Sequence, residues 1–326
     1  MISRRAILGS AFAAAVIGGF ALPAAAGAPD VTGEGMTIYF QMGGNSGDTA
    51  TLARELGAKA AADMLKVNLV AQYSGWDKQK MIEQASQALA AHPDAVIVMG
   101  HSGTDAMRQF LDQAKADGVI VVTNNTQLPG TGLSYFGLDN YAAGVLLGER
   151  MVAAGLKKGD KAVVYGEFTN TAHGDISRGT MEQFDKAGVT YDKLQWSNEA
   201  VLDPSLAIPV LAAYLQSNPE VKAIAVPGHG GITAVLPKIM EAAGKAPGSV
   251  ITGGYDISAA ALDGLRKGYI TVVVDQQPYL QGLMPVVAAV LQKRYGISGL
   301  MLNTGGGVIT KENVEAIASL VEQGVR

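Results

Sequence analysis

The sequence predicts an α/β protein of two lobes, each an open, mostly parallel sheet covered by helices. Three observations carry this. Short β-branched runs alternate with longer segments of helical period, the pattern of parallel strands joined by crossover helices. The alternation occurs as two successive series. No low-complexity tract or long linker separates them, so short strands must join the lobes.

The first series has strands at 36–42 (MTIYFQM), 67–72, 95–100 (AVIVMG), 119–124 and 134–138, with helical stretches near 49–64, 78–91, 104–116 and 141–154. The second has strands at 161–167, 190–196, 223–228, 249–255 and 270–276 (ITVVVDQ), with helices near 175–187, 205–217, 231–243, 258–268 and 278–295. Gly118, Gly188, Gly244 and Gly268 stand just past helices, where a left-handed cap is wanted.

Composition narrows the function. The 326 residues, 48% of them hydrophobic, suffice for two medium cores. A formal net charge of −4, with 25 basic and 29 acidic residues, supplies no basic field for a phosphate backbone, so nucleic acid is excluded as a partner. The absence of cysteine removes disulfides, thiolate nucleophiles and zinc–thiolate sites together. Four histidines, none spaced as H-x₃-H, do not make a metal site, and no cofactor is expected.

The first 26 residues read as an export signal. Arg4 and Arg5 precede an almost uncharged, Ala- and Gly-rich stretch that ends in Pro23-Ala24-Ala25-Ala26. The twin arginines of SRRAIL resemble the twin-arginine signal, and the small-residue rule puts cleavage near Ala26. The mature protein is then expected to be soluble, folded without a covalent staple and periplasmic.

Six segments carry a family resemblance: HPDAVIVMGHSGTDAM (92–107), GVIVVTNN (118–125), YFGLDNYAAG (135–144), PEVKAIAVPGHGGI (219–232), GGYDISAAALDGLRKGYITVVVDQQPYLQG (253–282) and NTGGGVITKENV (303–314). In this order they resemble the ribose-binding type of periplasmic binding protein, over the whole mature chain. The resemblance implies two doubly wound parallel-sheet lobes joined by a three-crossing hinge, the type I periplasmic-binding-protein fold. It implies an N-terminal lobe of 27–139 with 277–303, a C-terminal lobe of 140–276 with 304–326, and a sugar enclosed between them. Ligands in such sheets also bind, by general rule, at the carboxyl ends of the strands.

A sugar site needs groups that donate and accept, because each hydroxyl leaving water must be satisfied. By the resemblance, Asp256 matches the family's GYD aspartate, the alternative being a cap for the following helix, and Gln276 its strand-end glutamine, which Gln277 or Asp275 can share. Asn125, with Asn124, stands where many relatives carry Asp-Arg, and Arg178 matches an arginine-glycine pair opening a helix in the second lobe. Asn45 and Asp48 lie in the loop GGNSGDTAT (43–51), which lacks the relatives' aromatic run. Trp76, Trp196 and Tyr255 are the alternative stacking platforms. His101 and His229 follow strands and border the expected cleft, and Asp139 lies at a lobe crossing.

Enzymatic activity is not expected. GGNSG does not satisfy G-x-G-x-x-G, and neither GNSGD nor GHSGT has the spacing of a nucleophile elbow. The expected function is capture of a sugar or polyol by a monomer that delivers it to the permease subunits of an ABC importer. The alternative is presentation of the ligand to a membrane sensor or chemoreceptor.

Overall fold

A computed structural model describes residues 31–169 and 172–326. The expected export signal and its cleavage point near Ala26 lie outside the described residues.

One sheet is built from β1 (Thr37–Gly43), β2 (Asn68–Tyr73), β3 (Ala95–Met99), β4 (Ile120–Asn125) and β5 (Ser134–Gly137), with α1 (Thr49–Leu65), α2 (Lys78–Ala90) and α3 (Thr104–Ala116) as crossovers. After α4 (Asn140–Ala153) a second sheet follows. Its strands are β6 (Lys161–Gly166), β7 (Thr190–Gln195), β8 (Val221–Ala225), β9 (Ile251–Tyr255) and β10 (Val272–Asp275). Its helices are α5 (Ala172–Ala187), α6 (Asn198–Leu202), α7 (Ala207–Ser217), α8 (Gly230–Ala242) and α9 (Ala259–Lys267). The chain then returns through α10 (Pro278–Tyr295) and β11 (Met301–Asn303) to the first sheet, and ends with β12 (Gly307–Thr310) and α11 (Ala318–Glu322) in the second lobe.

The sheet orders are β11-β5-β4-β3-β1-β2 and β12-β10-β9-β8-β6-β7. Every pairing is parallel except β10 with β12, where Val272 faces Thr310 and Asp275 faces Gly307. Each order reverses beside its first strand, which makes each lobe doubly wound. The chain passes between the sheets three times, at residues 138–139, 276–277 and 304–306.

Helices cover both faces, so the strands are apolar on both sides. In β3, Ala95 and Ile97 join Ile38, Phe40 and Val286 under α1 and α10. Val96 and Val98 point the other way, onto Met107 and Phe110 of α3. Strand β8 divides likewise, with Ala223 and Ala225 toward Leu147 and Phe184 and with Ile224 toward Leu211 and Leu236. Burying each of the larger side chains contributes about 1.5–3 kcal/mol.

The helix ends follow the sequence. Asp77 accepts from Lys80 N and Ser258 from Ala261 N at the starts of α2 and α9. The four expected glycines adopt left-handed backbone, with φ of 69° at Gly118, 70° at Gly188, 67° at Gly244 and 79° at Gly268. The stretch expected as one helix from 205 divides, because Pro204 starts a separate short turn capped by Asp203 before α7 begins.

Candidate functional site

Three strands of the two sheets end in polar residues that meet. Strand β4 ends at Asn125, β9 hands over to Asp256 and β10 to Gln276 and Gln277. Asn125 (φ 59°), Asp256 (φ 59°) and Gln277 (φ 52°) all adopt left-handed backbone. That conformation costs an L-residue about 1–2 kcal/mol, less for Asn and Asp, and such strain clusters at functional sites.

The side chains form one network. Gln276 Nε2 donates to Asp256 Oδ1 at 2.7 Å. Asn125 Nδ2 donates to Gln276 Oε1 and to Gln281 Oε1, each at 3.0 Å. Gln281 Nε2 donates to Gln276 Oε1 at 3.1 Å and to Thr304 Oγ1 at 3.0 Å. Arg54 of α1 joins through Nη2 to Gln281 Oε1 at 3.0 Å and Nη1 to Met42 O at 2.6 Å. The two lobes thus share a polar floor that runs through the crossings. Burial, and then the neighbouring Asp275, push the Asp256 carboxyl up to about 6, against a hydrogen bond from Gln276 and the charge of Arg54. The alternative duty foreseen for Asp256, capping α9, belongs to Ser258.

Aromatic rings flank this floor. Trp76, 40% exposed, holds a left-handed φ of 64° and packs its ring 5.7 Å from the His101 ring. On the other lobe His173 and His229 lie 5.9 Å and 5.5 Å from Trp196, which is itself only 5% exposed. Burial pushes the His101 imidazole down to about 3 and that of His229 to about 4, so both are neutral near pH 7. Trp76 keeps part of its indole exposed, with the Arg54 guanidinium 5.9 Å over the ring, whereas Trp196 and Tyr255, 2% exposed, are packing.

The ten expected residues divide. Asn125, Gln276 and Asp256 come together as described. His101 and His229 line opposite lobes, and His229 also caps α8 by accepting from Ile232 N at 3.1 Å. Asn45 and Asp48 sit exposed in the loop after β1, where Asp48 Oδ2 accepts from Asn45 N at 2.7 Å. Asn124 points into the sheet and donates to Val98 O at 3.3 Å. Asp139 is exposed and caps α4 through Ala142 N at 2.9 Å. Arg178 does not join the network. It pairs with Asp175 at 2.8 Å and lies 4.5 Å over the Tyr141 ring. An (i, i+3) carboxylate on its own helix holds the guanidinium there.

Arg54, Gln281 and Thr304 were not foreseen. Arg54 and Gln281 lie inside helices, where long polar residues are read as solvated faces. A fully buried arginine within α1 is the signal the sequence conceals. Among the described residues, no group of three or more His, Asp or Glu is arranged to hold a metal, and no helix is long and apolar enough to cross a membrane.

Comparison with known proteins places the fold and the family. The xylose/arabinose-binding protein XylF of Sulfolobus acidocaldarius is 29% identical over 191 residues, which is 56% of this chain. The chain spans about half of that relative's length, 46%. A carbohydrate transporter from Acidothermus cellulolyticus, solved with myo-inositol, superposes with a TM-score of 0.74 at 23% identity, over 89% of this chain and 99% of its own. A periplasmic ribose ABC transporter from Conexibacter woesei gives 0.74 at 22%, over 89% and 96%. These two solved structures share the fold. A family model of the periplasmic binding protein domain matches residues 42–296, and the chain belongs to that family.

Proposed function

We propose that this protein captures a neutral sugar or polyol between its lobes and delivers it to the permease of an ABC importer. The carrying observation is the hydrogen-bonded cluster of Asn125, Gln276 and Asp256 at the strand ends of both sheets, with the part-exposed indole of Trp76 next to Arg54 of the same network. The carboxylate accepts from hydroxyls, the two amides both donate and accept, and the indole offers an apolar face to C–H groups. Neutral His101 and His229 add hydrogen-bonding capacity without charge. An acid would meet Asp256 unfavourably. The relative that binds xylose and arabinose and the fold neighbour that holds myo-inositol support a ligand of this size.

In this reading the lobes are 27–139 with 277–303 and 140–276 with 304–326. They close as a monomer about the three crossings after export and removal of the leader near Ala26. Ligand then shifts the population toward the closed form, since only that form lets both lobes contact it. Thermal-shift screening against D-xylose, L-arabinose, D-ribose, D-galactose and myo-inositol tests the proposal. A ligand at 100 times its dissociation constant adds about 2.7 kcal/mol of stability. A panel of sugars and polyols that leaves the melting curve unmoved would count against it.

A further inference from the structure

The carboxylate read above as a ligand contact terminates a relay that begins at a buried cation in the opposite lobe. Arg54 is 0% exposed in the middle of α1. Its two terminal nitrogens donate to uncharged acceptors, Met42 O and Gln281 Oε1, and its Nε has no hydrogen-bond partner among the described residues. Burial pushes the guanidinium down to about 10, and Asp256 is the charge that pulls it back up. From Arg54 the donors run in one direction. Gln281 accepts from Nη2 and donates to Gln276 Oε1 at 3.1 Å, and Gln276 donates to Asp256 Oδ1 at 2.7 Å. The amide dipoles are aligned from cation to anion, and Gln281 also grips the crossing at Thr304. Aligned hydrogen bonds polarise one another in a low-dielectric interior.

The surroundings of Asp256 leave Arg54 a distinct part. At the end of β10, Asp275 pushes the carboxyl up, although its own charge is met by Arg326 Nη2 at 2.5 Å. From the start of α8, Gly230 closes on the carboxylate, and His229 beside it is neutral near pH 7. Tyr255, which precedes it, is a neutral phenol. The hydrogen bond from Gln276, and after it the charge of Arg54, favour the ionised carboxylate.

We propose that Arg54 is a positioning residue for ligand capture, holding Asp256 ionised and oriented across the hinge through Gln281 and Gln276. The proposal rests on Asp256 as the ligand's acceptor, but the coupling it describes exists without ligand. It ties the charge state of the second lobe's contact to the geometry of the first lobe and of two crossings.

The test is a carbon-detected NMR titration of the ligand-free full chain between pH 4 and 9. The Asp256 carboxyl signal is identified by its loss in Asp256→Asn. In Arg54→Met its midpoint rises by about half a pH unit or more, and in Arg54→Lys, which keeps the charge, it stays near the wild-type value. In the wild type, the Arg54 Nε signal moves with the same midpoint. An unchanged Asp256 midpoint in Arg54→Met overturns the proposal, as does an Arg54 signal that stays still while Asp256 titrates. If Arg54→Met does not fold, the wild-type Arg54 signal decides alone. Failure of the ligand reading looks different: Asp256→Asn then binds a panel sugar with native affinity while the ligand-free coupling persists.

Discussion

Replacing Asp256 by Asn should stabilise the protein and weaken binding at once. In the folded chain burial and Asp275 push the Asp256 carboxyl from an ordinary 3.8 up to about 6. The folded state therefore holds a proton that the unfolded state has lost between those values. Ionised Asp256 costs stability in full above pH 6, and the cost fades as pH falls through the window toward 3.8. At 1.36 kcal/mol per pH unit the difference is on the order of 1–3 kcal/mol. Asparagine removes the charge at every pH. By scanning fluorimetry the variant should melt about 2–6 °C above the wild type at pH 7.5, with the gap closing near pH 4. Hydrogen bonds to charged groups contribute about 1.5–3 kcal/mol, so calorimetry should show sugar affinity down about tenfold or more. A variant that melts lower at pH 7.5, or binds as the wild type does, would refute the assignment.

Other perturbations test other parts. Trp76 is the open indole and Trp196 the buried one, so Trp76→Phe should abolish most of any ligand-induced change in tryptophan fluorescence, and Trp76→Ala should weaken binding roughly three- to tenfold. Persistence of the signal in Trp76→Phe would place the ligand elsewhere. A Cβ on Gly282 would stand 1.9 Å from Arg54 O, so Gly282→Ala must push α1 from α10 at about 1–3 kcal/mol and lower the melting temperature. An unchanged melting temperature would mean that the helices do not pack this closely. Lys in place of both Arg4 and Arg5 should strand the precursor in the cytoplasm. Continued export would point to the general secretory route.

The fold was largely legible because its strands are buried on both faces and its helices carry their own punctuation. Runs such as AVIVM are short, β-branched and bounded by Pro93 and Gly100, and Gly118 or Gly268 mark helix ends by their left-handed backbone. Strands β11 and β12 were not legible. They have three and four residues, and in β11 Met301 and Asn303 are exposed, so pairing with Tyr135 and Gly137 rather than any local pattern makes it a strand. At the site, Asn125, Gln276 and Asp256 were named from the family resemblance and their places at strand ends, and the structure brings these three side chains into one hydrogen-bonded cluster. Asp139 stands at a crossing, yet its carboxylate serves the helix that begins beside it, a choice the motif DNYAAG leaves open. Arg54 and Gln281 were hidden because their contact joins residues 227 apart in sequence. No local period encodes a pairing of that separation.

Small-angle scattering of the mature chain, with and without a saturating amount of the tightest-binding sugar from the panel, tests the central claim most directly. Both lobes contribute to the cluster of Asn125, Gln276 and Asp256, so a ligand seated on it should draw them together and lower the radius of gyration. An unchanged radius of gyration at saturation would contradict capture by closure.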